Sequence, residues 1–483
     1  MNETQRGFLV RMLSAAVCSV MGCTVGADLT GKACASDGAC AADFRCVAGV
    51  CVAGDAMPPD AGPGVDGGSD TDSGVVADGG ARMDGGANVD GGMPGECGAS
   101  GQACCSSDVC DEDLTCIGGR CSCIRRLAIN EYGTCALRVE GSLFCVGANE
   151  NGQLATGAFQ RDELQPVRTQ LAFPIEQAFR GAFHTCAIVS ENDAFCWGNN
   201  QDAQLGVPEV QVNTATPERL APLPEVGWAS MSLGSFHSCA LDTSDRVWCW
   251  GQNQFGQSGR PEIGAPVVLP ALVDLRPSNE RVTEVAAGAF HTCALVDGTV
   301  YCWGRNESLQ VGSMGFGSVS IPQLVLDQAI RVVAGDFHSC ALRSDRSIWC
   351  WGFNSNGELG RGTISSSELP GIVSGDRRYK DLAAMDNHTC AISEDDDVFC
   401  WGRNVDGQLG IGVSGPPFVT PQPVDIEAPV QVVGGRSHTC VLRAGGEVLC
   451  FGGSGFGELG RGIRSRTATP TRSLLSCENE GGE

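Results

Sequence analysis

Histidine, tyrosine and basic side chains are all scarce. The chain carries 6 His and 3 Tyr in 483 residues, and 32 Lys+Arg stand against 57 Asp+Glu, a net charge of -25 at pH 7. A nucleic-acid binder lays clustered Lys and Arg along phosphates, so this balance excludes nucleic acid as the partner. So few His cannot serve several metal centres, and no metal or cofactor is expected. Also missing is a long apolar run. The stretch Met12 to Met21 has about half of the roughly 20 residues that a spanning helix needs. Cysteine and glycine are abundant instead, at 28 and 67 residues. That much cysteine belongs to an oxidising compartment, and that much glycine to a chain rich in turns.

Arg6 and Arg11 precede the short apolar run, which ends Val20-Met21-Gly22-Cys23. A basic start, an apolar middle and a small residue at the end describe a signal peptide over 1–22. The ending resembles the bacterial lipoprotein box, which implies lipidation of Cys23. The expectation is an exported chain, anchored by lipid to the bacterial outer membrane, or secreted if Cys23 is unmodified. Membrane contact is expected through that anchor alone.

Cysteine-rich modules follow at 23–51 and 97–122, with Cys34, Cys40, Cys46 and Cys51 in the first and Cys97, Cys104, Cys105, Cys110, Cys116 and Cys121 in the second. Such short segments bury too little surface to fold unaided, so disulfides are expected to staple them. The pairings stay open. Between them, 52–96 repeats Asp-Gly-Gly and has few apolar residues, which reads as a disordered acidic stalk. A short disordered tail is expected at 478–483.

The remainder, 123–477, repeats itself. The leading cysteines Cys135, Cys186, Cys239, Cys293, Cys340, Cys390 and Cys440 recur with a period near 50. Each copy has alternating apolar residues, a hairpin signal and Gly-bounded turns. The fold class is therefore all-β, a seven-bladed propeller of four-stranded units. In the fourth copy, a two-residue turn at Asp297-Gly298 sets Cys293 opposite Cys302 on a non-hydrogen-bonded pair, within disulfide reach. The same register joins Cys135 to Cys145, Cys186 to Cys196, Cys239 to Cys249, Cys340 to Cys350, Cys390 to Cys400 and Cys440 to Cys450. Each copy ends in a Pro-led strand, at Pro166, Pro217, Pro266, Pro322, Pro370, Pro421 and Pro470. The last of these is expected to complete the first blade and abolish its open edge. Cys123 and Cys477, left over by parity, would then clasp the ring.

The motifs His-Thr-Cys-Ala-Leu, Cys-Trp-Gly-x-Asn and Gly407-Gln408-Leu409-Gly410 resemble the regulator-of-chromosome-condensation repeat, over about 354 residues. That resemblance also implies a seven-bladed propeller. The cysteine-bearing repeats look like those of secreted bacterial members, and the modules with Asp-Gly linkers look like myxobacterial lipoproteins. The first copy departs most, with Tyr132 read in place of His and Val146 in place of Trp. The last has Phe451 for Trp.

All six His, at His184, His237, His291, His338, His388 and His438, stand two residues before a Cys. One reading is a ring of metal or acid–base sites. The other is a buried His bonded to backbone between blades. Near-identical contexts favour architecture, since a catalytic site differs from its repeats. Trp197, Trp250, Trp303, Trp351 and Trp401 read likewise as packing. No nucleophile elbow, zincin helix or phosphate loop is present. The chain is therefore expected to be no enzyme, and monomeric. Its function is expected in the loops that vary, with Phe159, Phe316 and Phe418 as candidate anchors. The leading expectation is a cell-surface lipoprotein that binds an unknown protein or surface polymer. The rivals are a β-lactamase-inhibitor-like inhibitor of a hydrolase, a guanine-nucleotide exchange factor, and a propeller hydrolase or lyase. Acidity and export speak against exchange.

Overall fold

The computed structural model describes residues 44–47, 50–53, 114–117, 120–159, 161–210, 212–221, 226–275, 281–315 and 317–477. The chain divides into two compact units, Met1–Asp90 and Gly91–Glu483. In the first, the described residues form one antiparallel hairpin, Phe44–Val47 with Val50–Ala53, whose register sets Cys46 opposite Cys51. The expected signal peptide, Cys23, Cys34, Cys40, most of the stalk, Cys97, Cys104, Cys105, Cys110, Phe316 and the tail lie outside the described residues.

In the second unit every regular element among the described residues is a strand. A short hairpin, Thr115–Ile117 with Arg120–Ser122, brings Cys116 opposite Cys121, and both are disulfide-bonded. Seven four-stranded antiparallel sheets follow, each built from strands consecutive in sequence. The first strands of neighbouring sheets touch around the ring, and that of the seventh meets that of the first. This is the seven-bladed propeller.

The fourth blade shows how the sequence specifies the unit. Its strands are Val282–Ala287, His291–Val296, Thr299–Arg305 and Ser318–Leu326. Val296 faces Thr299 and Cys293 faces Cys302, the register set by the two-residue turn. Cys293 and Cys302 are bonded with Cα atoms 4.0 Å apart, and the other six hairpin pairs are bonded at 4.1 Å. The second strand is buried at every position because a neighbouring blade covers each face. The core is accordingly distributed between blades: Cys293, Leu295 and Val300 pack on Val332, Ala341 and Trp351 of the fifth. Gly304, after the Trp, has φ +108°, and a Cβ there would lie 2.5 Å from the Phe290 carbonyl. Only glycine lets the third strand pass so close to the second.

Two expectations about the Pro-led strands fail. The last one, Thr467–Arg472, is hydrogen-bonded to Val448–Gly452 of its own seventh blade and not to the first. The first blade is complete without it, from Ile124–Asn130 to Glu163–Arg168. No strand is exchanged at closure among the described residues. In the third copy the structural equivalent is Pro270, not Pro266: the third strand pairs with Ala271 and then Val267, and Pro270 sits in the bulge between them. Pro322 occupies the same bulge, between Val319 and Gln323. A residue without an amide hydrogen fits a bulge on an outer strand, where no ladder bond is lost.

Cys123 and Cys477 are bonded across the seam, with Cα atoms 5.8 Å apart. Ile124, Leu127, Ala136 and Val146 of the first blade pack there on Leu442, Val448 and Leu459 of the seventh and on Leu475 beyond it. Gln431 adds a side-chain amide pairing: its Oε1 accepts from Leu127 N at 2.8 Å and its Nε2 donates to Leu127 O at 3.2 Å.

Candidate functional site

Between blades, each His enters one repeated relay. His291 Nε2 meets Ser339 Oγ of the next blade at 2.7 Å, and Ser339 Oγ donates to the Gln310 carbonyl at 3.0 Å. Trp351 Nε1 donates to that same carbonyl at 3.0 Å. A carbonyl only accepts, so the hydroxyl proton is committed and Ser339 must accept from the ring. Nε2 therefore carries the proton and Nδ1 is bare. The same step joins His184 to Ser238, His237 to Thr292, His338 to Thr389, His388 to Thr439 and, across the seam, His438 to Thr134. The bond runs to a side-chain hydroxyl of the next blade, where the sequence suggested backbone. Burial pushes these imidazoles down to about 3, and His338 to about 4. They stay neutral at physiological pH and have no access to substrate. Among the described residues no group of three or more His, Cys, Asp or Glu is placed to hold a metal.

The first copy breaks the pattern differently from the sequence reading. Gly133 pairs with Gly147 just as His184 pairs with Gly198, so Gly133 and not Tyr132 stands at the His position. The vacated space is taken by Arg180, whose Nη1 lies 3.3 Å from Cys135 Sγ. A Cβ on Gly133 would come within 2.9 Å of that nitrogen. Burial lowers the pKa of this guanidinium to about 9, with no carboxylate beside it to hold it up.

Antiparallel connectivity places the loops between strands one and two, and between strands three and four, on one face of the ring. The outer loops of this face share one device, the Asn of the Cys-Trp-Gly-x-Asn motif. Asn149, Asn200, Asn253, Asn306, Asn354 and Asn404 each accept, through Oδ1, the amide five residues on, at 2.9–3.2 Å. Through Nδ2 each donates to a carbonyl at the loop tip: Ala158, Val210, Glu262, Gly315, Thr363 and Val413. Ser454 makes the second bond alone, to Ile463 O at 3.4 Å. Each clamp holds up an exposed apolar side chain: Phe159 (57%), Val212 (68%), Ile263 (47%), Met314 (84%), Ile364 (58%), Val413 (55%) and Ile463 (49%). Such residues are unremarkable singly, but every blade contributes at least one to the same face, and together they form a crown.

Of the candidate anchors, Phe159 belongs to this crown. Phe418 does not: it lies in the outer strand Gly415–Val424, opposite Gly402, half-buried against the core between the sixth and seventh blades. The six other crown residues went unrecognised because they share neither residue type nor distance from the Cys. Their common signal was the clamp Asn, which the motif already contained.

Inside the crown, the loops between strands one and two ring the axis with Glu131, Ala182, Ser235, Ala289, Asp336, Asp386 and Arg436. Many of these line a channel mouth of about 260 Å³. Glu131 reaches across it to accept Ser235 Oγ–H at 3.0 Å, and Arg436 Nε lies 3.7 Å from Asp386 Oδ2. Burial and then mutual repulsion raise the carboxyls of Glu131 and, most strongly, Asp336. Burial also raises that of Asp386, against the pull of Arg436.

Comparison with known proteins places these features. The model of the RCC1-like domain matches residues 222–480, more than half of the chain, and that of the regulator of chromosome condensation (RCC1) repeat matches 140–188 and 191–241. Protein pim1 of Schizosaccharomyces pombe is 29% identical over 252 residues, 47% of this chain and 46% of that protein. The ultraviolet-B receptor UVR8 of Arabidopsis thaliana is 29% identical over 192 residues, 39% of this chain and 43% of that one. The matched stretch thus spans less than half of either relative. Prp20p of Saccharomyces cerevisiae, whose structure was described with its binding to Gsp1p and histones, superposes with a TM-score of 0.63 at 21% identity, covering 71% of this chain and 87% of its own. Human WBSCR16 gives 0.61 at 21% identity, covering 66% and 87%.

Proposed function

The chain belongs to the RCC1-like domain family, and from that premise we propose that it is a non-catalytic binding module that presents the crown face to a macromolecular partner. We place it at the bacterial cell surface, exported by its amino-terminal signal and held there by lipid on Cys23. The crown carries this reading. Seven loops of unrelated sequence each hold an exposed apolar side chain in solvent, and each is pinned near its tip before any partner arrives. Preorganisation of this kind removes the ordering cost that a mobile loop would meet on binding. The relay histidines are neutral and interior and the blade cysteines are bonded, so the repeated motif supplies scaffold and leaves recognition to the loops. The binding of Prp20p to Gsp1p and histones supports protein as the partner class.

The test is capture from cell-surface fractions by the full chain, compared with Met314→Asp/Ile364→Asp. The wild type is expected to bind one partner saturably, and the double variant to lose at least tenfold in affinity with an unchanged melting temperature. Equal capture by both would overturn the assignment of this face.

A further inference from the structure

We infer that the axial mouth of the crown face receives a guanidinium or ammonium group carried by the partner, an arginine or lysine side chain, held between an aromatic arc and the carboxylates Glu131, Asp336 and Asp386. This inference rests on the crown face being the binding face, and it names what that face reads.

The arc comes from one position of the repeat, immediately before the relay His or, in the first blade, before Gly133. There the first five blades carry Tyr132, Phe183, Phe236, Phe290 and Phe337, with successive ring centroids 5.6, 5.7, 5.3 and 6.2 Å apart. Phe353, Phe255 and Phe456 extend it, at 6.3, 5.4 and 5.4 Å from Phe337, Phe290 and Tyr132. All of these rings are half-buried, with one side packed and another open. The sixth and seventh blades carry Asn387 and Ser437 at this position, so the arc is open there. On that open side stand Asp336, Asp386, Arg436 and Glu131. Arg436 acts on all three carboxyl groups and Arg403 on Asp386, and Asp336 shares a hydrogen bond with Asp386. Arg436 ion-pairs with Asp386 and reaches Tyr132 Oη at 3.2 Å, whereas Glu131 and Asp336 have no ion-pair partner among the described residues.

The arc already holds a guanidinium of its own. Arg305 lies over Phe255, Phe290 and Phe337 at 5.1, 5.6 and 5.9 Å from their centroids. The electron-rich ring faces are therefore presented at a height and tilt that suit a planar cation. A second cation entering over Phe183 and Phe236 would reach the carboxylates at the axis. Like charges held close and half-buried repel one another, so the arriving charge relieves that repulsion. The axial cavity that Glu131, Asp336 and Asp386 help to line, with Arg126 and Arg180 on its wall and the rings of the arc outside it, has about 260 Å³, room for the end of one extended side chain rather than a folded segment.

The probes are a glycine-flanked arginine pentapeptide amide and the same peptide with citrulline, which keeps the shape and removes the charge. Both are titrated calorimetrically into the full chain. The arginine peptide is expected to bind at least tenfold more tightly than the citrulline one. Glu131→Gln/Asp336→Asn should abolish that preference. Phe236→Leu, which keeps an apolar side chain and removes a ring face, should weaken binding severalfold. Affinity should rise with pH as the carboxyls, which burial holds above their ordinary range, ionise. Of the other groups that act on them, Tyr132 stays uncharged, Arg436 stays cationic and Glu358 turns negative in the same direction; Arg403 also faces Asp386. Equal affinity for the two peptides, no binding of either, or indifference to the carboxylate variant would overturn the inference. Met314→Asp/Ile364→Asp separates it from the reading beneath: that variant should lose the macromolecular partner and keep the peptide.

Discussion

A relay histidine shows how one residue serves three neighbours. His291 supplies a proton to Ser339, which frees the Ser339 hydroxyl for the Gln310 carbonyl that also takes the Trp351 indole. Each of these groups is buried, and an unmet partner would cost about 1–3 kcal/mol. Neutrality is part of the design. The folded-state pKa lies near 3 and that of an exposed imidazole near 6.5. The unfolded chain therefore binds more protons between those values. The stability held by the neutral ring is whole above about pH 6.5 and is lost as pH falls toward 3. Glu358 and Glu458 act in the opposite sense, because burial raises them to about 7 and their contribution fades as pH rises through 7. From pH 6.5 to 4.5 the two sets oppose each other, so acid loss should steepen below 4.5. His291→Gln keeps an N–H for Ser339 and cannot ionise. It should lower stability by about 1–2 kcal/mol at pH 7 and flatten the acid slope by up to ~1.4 kcal/mol per pH unit. Urea denaturation followed by tryptophan fluorescence at pH 7, 4.5 and 3.5 reads both, and an unchanged slope would show that this ring does not titrate on unfolding.

At the scale of the element, the hairpin and the clamped loop are the two working parts, and they differed in legibility. The hairpin register could be read because a period of two and a fixed turn leave one solution, as the pairing of Cys293 with Cys302 shows. The phase of the repeat could not. A Pro-led strand between two blades reads the same whether it ends one or begins the next, so Thr467–Arg472 was misplaced. The axial carboxylates were hidden for another reason: Glu131, Asp336 and Asp386 are distant in sequence and meet only because the ring closes. Each stands four residues before its blade's leading Cys, a regularity that places them at the axis once the blade is known. The clamp invites a direct test. Asn354→Ala removes the acceptor of Leu359 N and the donor to Thr363 O. The loss should be about 2 kcal/mol, confined to the loop. Trypsin should then cut after Arg361 at least tenfold faster while the global melt moves little. Unchanged cleavage would mean that the Arg361–Glu368 ion pair, and not the Asn, fixes this loop.

For the whole molecule, the seam between blades seven and one is the critical junction. Many propellers close by sharing a strand between first and last blades, which makes closure part of a sheet. Here no described strand crosses. Closure rests on side-chain packing around Leu127 and Leu442, the Gln431 pairing, the His438–Thr134 bond, the Arg464–Asp162 ion pair at 2.7 Å and the Cys123–Cys477 bond. The disulfide joins the two ends of the ring over a separation of 354 residues, against 9 or 10 for each hairpin bridge. Loop-closure entropy then ranks them: up to about 5 kcal/mol for the clasp and at most about 3 kcal/mol for a hairpin bridge. The hairpin is also already held by its own ladder, which lowers its share further. Cys123→Ser/Cys477→Ser should therefore cost more than Cys390→Ser/Cys400→Ser. Its effect should also be local at first: amide exchange should quicken in Ile124–Asn130 and Pro429–Gly434, the facing strands of the seam, before any blade on the far side. Exchange that rises evenly in all seven blades, or a hairpin variant less stable than the clasp variant, would mean that packing alone closes the ring and that the clasp only ties down the ends of the chain.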